Sequence, residues 1–386
     1  MMLPSTVITS ILINFVPLAT AQLSWPFTSP PPRIPKITEY ATAPSLSTPC
    51  ETEFHPSQPD IAWVELIAGN AILRINLTSG DQTLFPLSNP LGLPSGMEFL
   101  PDGNLWFSEV AGNAMIRLNP ADGSMTEFPF PFTGVTAIDE LPLGLRVTID
   151  VSGNRDRGAW FAAAGSNAIG RIDIDTFQYD LFPIPTLGAV PLVIQPGPGS
   201  TMIFSEAVGN KVGMIDVFTH EVTEYEVPTP LSVVVAVTYD EVRGLIWVAS
   251  LIGNLGWIDV GTREVREISV NGLRKQGKST LVFPDESLHS GDQDLLEALV
   301  SGSIGTSGLL PSSGPLRVGT DGKVYFSQGL LVLGGNRIGQ YDPETGLLME
   351  FVLPTGLSGP CDLNNQIPGT MFFAEFTGGH LGRLDY

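Results

Sequence analysis

The sequence predicts an all-β protein, a seven-bladed β-propeller whose ring is closed by an N-terminal outer strand on the last blade. Three observations support this prediction: a motif that recurs seven times, an abundance of turn residues, and a first strand that resembles the one missing from the last repeat. Gly (42) and Pro (33) are spread over 386 residues without a collagen-like period. Such punctuation favours many short strands joined by turns over a helical bundle.

The recurring motif has the layout of one propeller blade. An alternating run ends near an anchor residue, a Gly-Asn turn follows, and a second run ends at Asp or Asn. With one strand before the anchor and another after the Asp, each copy supplies four antiparallel strands in about 44 residues. Single blades cannot bury both faces alone, so residues 36–386 are predicted to form one ring. The anchors are Trp63, Trp106, Trp160, Ile203, Trp247, Tyr325 and Phe372.

The two ends of the repeat region complement each other. The last copy stops at Tyr386 without an outer strand, and residues 37–40 resemble the outer strand of the second copy at 125–128. We therefore expect the N-terminal strand to pair onto the last blade, which leaves no unpaired edge at the break. Cys50 and Cys361 fall in the first strands of copies one and seven, which ring closure makes neighbours. A Cys50–Cys361 disulfide is predicted; the alternative is two buried free thiols.

The first 35 residues are predicted to lie outside the ring. Residues 1–21 are apolar, uncharged and end on Ala19-Thr20-Ala21, which is typical of a secretory signal peptide. A disordered apolar tail is the alternative, and residues 22–35 form a flexible lead-in. A leader implies a secreted protein, or one in the lumen of the secretory pathway or a vesicle, and makes Asn76 of Asn76-Leu77-Thr78 a glycosylation candidate. No later segment is long and apolar enough for a membrane span.

One copy is longer than the others. The excess lies at residues 271–313, between the outer strand of copy five and the inner strand of copy six. A loop there would emerge on the face of the Gly-Asn turns, so it is a candidate lid over the mouth of the central channel; a disordered surface insertion is the alternative. A shorter extension at 133–141 is expected on the same face.

Charge and motif content narrow the function classes. The formal net charge is −21, which repels phosphate backbones and anionic membranes, so nucleic-acid binding is excluded as a leading hypothesis. No nucleophile elbow, zinc-protease motif, phosphate loop or dinucleotide fingerprint occurs. The predicted partner is a small hydrophobic molecule, and the sequence leaves the oligomeric state open.

Candidate site residues lie three positions beyond each anchor, where a strand is expected to reach the channel mouth. Three carboxylates there, Glu109, Glu206 and Glu375, are the predicted catalytic residues, because crowded carboxylates raise one another's pKa and suit a general acid. They could also hold Ca²⁺ or Mg²⁺, or be strand-end residues inherited through the repeat. Leu66, Ser250 and Gln328, with His289 of the insertion, are the predicted substrate contacts. The full set is Leu66, Glu109, Ala163, Glu206, Ser250, Gln328 and Glu375.

The repeat resembles that of the streptogramin (virginiamycin B) lyases over roughly residues 37–386. The segments that carry the resemblance are Asp102–Glu109, Thr126–Pro129 and Asn167–Asp173. The resemblance implies a seven-bladed propeller that opens a cyclic depsipeptide by elimination, with Mg²⁺ held by Glu residues and a His on an inner strand. Glu109, Glu206 and Glu375 match the metal-type Glu. Fourteen residues before them stand Ser95, Leu192 and Cys361, so the His has no counterpart.

The overall pattern is also similar to the propeller hetero-Diels–Alderases of fungal tropolone–sesquiterpenoid pathways. That similarity implies an enzyme that binds a quinone methide and a macrocyclic terpene alkene in an apolar pocket, with a carboxylic acid assisting dehydration and with no metal or organic cofactor. A (hetero-)Diels–Alderase is therefore the first hypothesis. A metal-dependent C–O lyase or lactone hydrolase is the second, and a non-catalytic ligand-binding propeller is the third.

Overall fold

The computed structural model describes residues 35–131, 148–153 (backbone only), 156–283, 313–328 and 336–386. Residues Pro35–Tyr386 form one compact unit, and its strands make seven sheets, one for each predicted blade. The seven-bladed propeller is thus confirmed. The described part of the chain contains no helix long and apolar enough to cross a membrane. The predicted leader and lead-in, the extension at 133–141 and His289 lie outside the described residues.

Strands are numbered along the chain, and within a blade they run from the channel outward. Blade 1 holds β2 (Pro49–Phe54), β3 (Ile61–Leu66), β4 (Ala71–Asn76) and β5 (Gln82–Pro86). Blade 2 holds β6 (Pro94–Phe99), β7 (Leu105–Glu109), β8 (Ala114–Leu118) and β9 (Met125–Pro129). Blade 3 holds β10 (Thr148–Gly153), β11 (Gly158–Ala163), β12 (Ala168–Asp173) and β13 (Tyr179–Pro183). Blade 4 holds β14 (Pro191–Pro196), β15 (Thr201–Glu206), β16 (Lys211–Asp216) and β17 (Val222–Glu226).

The remaining blades follow the same order with one addition. Blade 5 holds β18 (Val234–Asp240), β19 (Leu245–Ser250), β20 (Asn254–Asp259) and β21 (Val265–Ser269). Blade 6 holds β23 (Ser313–Val318), β24 (Val324–Gln328), β25 (Arg337–Asp342) and β26 (Leu347–Val352), with β22 (Ser279–Val282) as a fifth, outermost strand. Blade 7 holds β27 (Pro360–Asn364), β28 (Thr370–Glu375), β29 (His380–Asp385) and β1 (Lys36–Ala41).

The ring closes as the sequence predicts. Strand β1 pairs antiparallel with β29, so that Lys36 lies opposite Asp385 and Ala41 opposite His380. The Cys50–Cys361 disulfide is also confirmed: it joins the inner strands of blades 1 and 7, with the two Cα atoms 5.0 Å apart and a sequence separation of 311. The contact between these two inner strands is called the seam below.

The anchor residues form the core between blades. Trp63, Trp106, Trp160 and Trp247 are at most 1% exposed. Trp106 of blade 2, for example, packs in one apolar cluster with Phe161 of blade 3. Because each anchor is buried against the next blade, the repeat is stabilised by its neighbours rather than within single blades.

The start of the 271–313 insertion forms a short helix and a strand at the outer edge of blade 6. Helix α1 (Val270–Lys275) is capped by Ser269, whose side chain accepts a hydrogen bond from the Gly272 amide, as an N-cap residue does. Strand β22 then pairs in parallel with β26, with Ser279 opposite Leu348. This stretch covers the outer edge of blade 6. Residues 284–312, on which the lid hypothesis now depends, lie outside the described residues.

The two ends of the blades form two faces. The upper face carries the loops between blades and the turns between second and third strands, which contact each other: the Leu87 amide donates to the Asn70 carbonyl at 3.0 Å, and the Val110 amide to the Leu93 carbonyl at 3.0 Å. The lower face carries the remaining turns. The predicted placement of the inter-blade connections beside the Gly-Asn turns is therefore confirmed for the described loops.

Candidate functional site

The Asn of each Gly-Asn turn shapes the upper face. Asn70, Asn113, Asn167 and Asn210 have φ between 49° and 56°, a left-handed conformation that Asn tolerates better than most residues. The Asn210 side chain donates to the Val227 carbonyl at 2.9 Å and accepts from the amide and hydroxyl of Ser232 at 2.9 and 2.7 Å. Asn70 and Asn167 likewise hold the loop that enters the next blade through side-chain hydrogen bonds, so the recurrence of Asn has a structural cause.

The predicted site residues all lie at the upper ends of second strands, as the last residue of each. All seven are buried, with Glu206, Glu375 and Leu66 fully so. However, the carboxylates that act on the three glutamates come from the outer strand of the same blade and not from other members of the set. They are Glu127 for Glu109, Glu224 for Glu206 and Glu39 for Glu375. The structure therefore divides the expected single site into clusters, one to a blade.

In the Glu206 cluster, the buried Glu206 lies close to the ion pair between Lys211 and Glu224. Burial raises the pKa of Glu206 to about 8, the negative charge of Glu224 adds to the effect, and Lys211 opposes it. Glu224 accepts hydrogen bonds from Lys211 Nζ at 2.7 Å and from the amide of Thr186 at 2.9 Å. Neither carboxyl oxygen of Glu206 has a hydrogen-bond partner. A buried acid without donors is stable only when protonated.

The Glu375 cluster brings together the two ends of the chain. Burial, the charge of Glu39 and a hydrogen bond with Glu39 together raise the pKa of Glu375 to about 9. Glu39 is held by the amide and hydroxyl of Thr355 at 2.9 and 2.8 Å. His380 Nδ1 lies 3.8 Å from Glu375 Oε2. Two carboxyl groups can hydrogen-bond to each other only through a proton, and the raised pKa of Glu375 allows it to keep that proton.

The same three residues are a possible metal site. Ligand atoms of Glu39, Glu375 and His380 all lie within 4.8 Å of one another. Two carboxylates and an imidazole suit zinc or manganese better than magnesium, which prefers an all-oxygen shell. The donor set therefore fits a divalent cation, although it is not the combination that the resemblance to the lyases implies.

Glu109 is the least isolated of the three acids. Burial raises its pKa, a hydrogen bond from Asn89 Nδ2 at 3.4 Å opposes that shift, and the charge of Glu127 adds to it.

Three residues that were predicted to contact the substrate, Leu66, Ser250 and Gln328, already contact other residues of the protein. Gln328 donates to Glu350 and accepts from Arg274 of α1, both at 2.9 Å. Leu66 belongs to the apolar core between blades 1 and 7, and the Ser250 hydroxyl contacts the Asn254 amide of its own turn at 3.3 Å. Asn76 Oδ1 accepts from the amides of Thr78 and Ser79 in a lower-face turn. Substrate binding by the first three residues and glycosylation of Asn76 stay predictions.

Two residues of the Glu375 cluster, Glu39 and His380, were not among the site residues predicted from the sequence. Glu39 could have been found, because the match of residues 37–40 to other outer strands aligns it with Glu127 and Glu224. His380 starts β29 beside the end of β28, opposite Glu375 in the register. Only ring closure places Glu39 next to both.

Comparisons with known proteins find the same fold. A family model for the virginiamycin B lyase family matches residues 133–277. Selenomethionine-substituted virginiamycin B lyase from Staphylococcus aureus superimposes with a TM-score of 0.71 at 20% identity, over 91% of this chain and 99% of that one. A streptogramin B lyase structure gives 0.70 at 19% identity, over 91% and 97%.

A third solved structure is a catalytically inactive histidine-to-alanine variant of the Staphylococcus aureus enzyme with quinupristin. It gives a TM-score of 0.70 at 20% identity, over 91% of this chain and 99% of that one. No curated protein matches the chain. At this level of identity, these similarities establish the propeller fold, and a fold of this kind hosts many reactions.

Proposed function

We propose that this protein is an enzyme of small-molecule metabolism that uses a buried, protonated glutamic acid of its upper face, and that its reaction joins a quinone methide to a terpene alkene by a hetero-Diels–Alder addition. The observation that carries the proposal is the pair Glu206 and Glu375, whose pKa values of about 8 and 9 keep both carboxyls protonated at neutral pH. A carboxyl group that is protonated at neutral pH can act as a general acid.

Only one step of the proposed reaction, the dehydration that forms the quinone methide, needs an acid. A hydroxymethyl-bearing precursor loses water: the carboxylic acid protonates the leaving hydroxyl as its C–O bond breaks, and the ring hydroxyl gives up a proton in return, which regenerates the acid. The quinone methide and the alkene then form one C–C and one C–O bond without further proton transfer. Holding the two partners in a reactive orientation contributes up to about 7–11 kcal/mol in favourable cases.

The inner strands support this assignment over histidine chemistry. The positions fourteen residues before the three glutamates are Ser95, Leu192 and Cys361, and the Cys361 sulfur is bonded to Cys50. None of these side chains supplies an imidazole, the group whose replacement inactivates the solved lyase variant. The acids lie beneath the turns at 207–210 and 376–379, so we propose that these glycine-containing turns move when substrate binds.

The test is product formation from a hydroxymethyl tropolone and a macrocyclic sesquiterpene alkene. Glu206→Gln and Glu375→Gln each keep the side-chain shape but remove the acid, so loss of either catalytic acid should lower the rate by roughly 10²-fold or more. Glu226→Gln is the matched control, since Glu226 is exposed on the outer strand of the Glu206 blade. Wild-type rates in all of the Glu→Gln variants, with Glu109→Gln included, would favour the non-catalytic binding protein instead.

A metal-dependent C–O lyase or lactone hydrolase is the second candidate, and the Glu39–Glu375–His380 cluster favours it. A divalent cation there would act as a Lewis acid on the bond to be broken. In that case Mn²⁺ or Zn²⁺ should raise the melting temperature of the wild type but not of Glu375→Gln or His380→Ala. The pericyclase proposal fails if a chelator abolishes product formation and a divalent ion restores it.

A further inference from the structure

Apart from the connection at 270–278, which carries Arg274, Lys275 and Lys278, the described loops and turns of the upper face contain no charged residue, although the chain has 40 acidic and 19 basic residues. The inter-blade loops concerned are 42–48, 87–93, 184–190, 227–233 and 353–359. The turns are 67–70, 110–113, 164–167, 207–210, 251–253 and 376–379. On the lower face, by contrast, every described turn except 197–200 and 365–369 contains a charged residue.

Each of these five loops also exposes a leucine at its tip. Their side chains project at the same end of their blades, around the channel mouth, and Val208 of a neighbouring turn adds a further apolar group. Exposed apolar groups that recur on one face mark an interaction surface. The exposed fractions are 85% for Leu46, 72% for Leu91, 81% for Leu187, 83% for Leu231 and 70% for Leu357.

Folding does not account for these leucines. Leu46, Leu231 and Leu357 have φ of 64°, 56° and 56°, a left-handed conformation that is strained for a bulky residue and natural for glycine. Gly188, in the corresponding loop of blade 4, adopts the same region with φ of 68°. The leucines gain no burial in return for the strain, so their presence points to a partner outside the chain.

We propose that the upper face docks on the surface of a neutral, zwitterionic lipid bilayer, with the leucine tips inserted among the headgroups. The five leucine-bearing loops contain no basic residue and so have no attraction for anionic lipids, and a net charge of −21 repels an anionic surface or a second copy. Loop tips at one level of the blades fit a planar partner. No charge loses its hydration when they insert.

Polar backbone groups of these loops already have hydrogen-bond partners within the protein, which favours contact with lipid. The Asn210 side chain already satisfies the Val227 carbonyl and the Ser232 amide beside Leu231, and Asn167 does the same for the Ala189 amide at 2.7 Å beside the loop of Leu187. Backbone groups with partners inside the protein lose little on leaving water, whereas unpaired ones are costly in lipid. The proposal is independent of the reaction proposed above.

Vesicle flotation with the full chain tests the proposal. Wild-type protein should float with phosphatidylcholine vesicles, and the triple variant Leu46→Asn, Leu231→Asn and Leu357→Asn should lower the partition coefficient by roughly tenfold or more. Asn is used because it tolerates positive φ. Val242→Asn is the matched control: Val242 is 93% exposed on the lower face, and its replacement should leave binding unchanged. Phosphatidylserine in the vesicles should weaken binding.

Three outcomes would overturn the proposal. They are no flotation of the wild type, equal flotation of wild type and triple variant, or binding that requires phosphatidylserine. A wild-type dimer that the triple variant converts to a monomer would identify a second copy as the partner. Melting curves of all variants report on folding, and the single variant Leu231→Asn, with a smaller expected loss, serves if the triple variant is destabilised.

Discussion

The two faces of the propeller are built from one repeat, yet the pKa values of their acids are shifted in opposite directions. On the lower face, Asp216 accepts hydrogen bonds from Ser200 and from the Thr219 and Phe218 amides, which lower its pKa to about 2. On the upper face, Glu206 and Glu375 are buried, neither accepts a hydrogen bond from a backbone amide or a hydroxyl, and their pKa values rise to about 8 and 9. The lower-face acid Asp216 stabilises the turn that begins at it by accepting hydrogen bonds from the amides of that turn. Glu206 has no hydrogen-bond partner in the described part of the fold, and Glu375 meets only a second carboxyl group, that of Glu39, which makes both acids candidates for chemistry.

The largest expected difference between the faces concerns the seam between blades 1 and 7. Its upper end is held by the Cys50–Cys361 disulfide, and its lower end by Gln366, which accepts from the Phe54 amide at 2.9 Å. Replacing both cysteines by Ser should lower the free energy of unfolding by about 5–6 kcal/mol on the chain-entropy model. Gln366→Ala should cost only about 1–2 kcal/mol.

Urea denaturation of the two variants at one pH measures this contrast, with reduced wild type as a second form of the opened seam. A larger loss for Gln366→Ala than for the double-serine variant would show that the lower end, and not the covalent bond, closes the ring.

The next largest effect is a pH dependence of stability with opposite signs on the two faces. The folded pKa of Glu375 lies above its unfolded value of 4.5, so its contribution is present below pH 4.5 and is lost as the pH rises towards 9. The slope is about 1.4 kcal/mol per pH unit for such a group, or about 3 kcal/mol by pH 7. Asp216 has a lowered pKa, so its contribution is present above pH 3.8 and is lost as the pH falls towards 2.

Unfolding free energies measured between pH 2 and 9 should therefore peak near pH 4. Glu375→Gln should flatten the alkaline side of the curve and leave the acid side unchanged, and Asp216→Asn should do the reverse. A wild-type curve that is level between pH 5 and 8 would mean that the upper acids are ionised in the folded protein, and the proposed acid catalysis would lose its basis.

The sequence could predict the parts of the molecule that recur, because a fixed period encodes them seven times. The blades, the closure by residues 36–41 and the disulfide all follow from the positions of anchors, turns and cysteines within the repeat. Strand β22 could not be predicted, since it has no counterpart in other copies and pairs with β26 about 70 residues later. The site was predicted in its residues but not in its grouping.

That grouping depends on distances across a blade rather than around the ring. Second strands end at similar heights, which the sequence shows, but each glutamate meets the outer strand of its own blade, as Glu375 meets Glu39. The unusual property of the upper face is also one that a single motif does not reveal: the absence of charge from the five leucine-bearing loops is visible only when loops from several blades are assigned to the same end.

The smallest of these effects concerns the side chains that hold each face in place. Asn210→Gly keeps a residue that accepts the positive φ of 56° and removes three hydrogen bonds to the loop at 227–233, so it should cost about 2 kcal/mol. Asp216→Ala removes bonds that are open to water, and its cost should be smaller. Urea denaturation at pH 5 compares the two. If Asn210→Gly costs no more than Asp216→Ala, the upper loops are held by other contacts, and charge alone distinguishes the two faces.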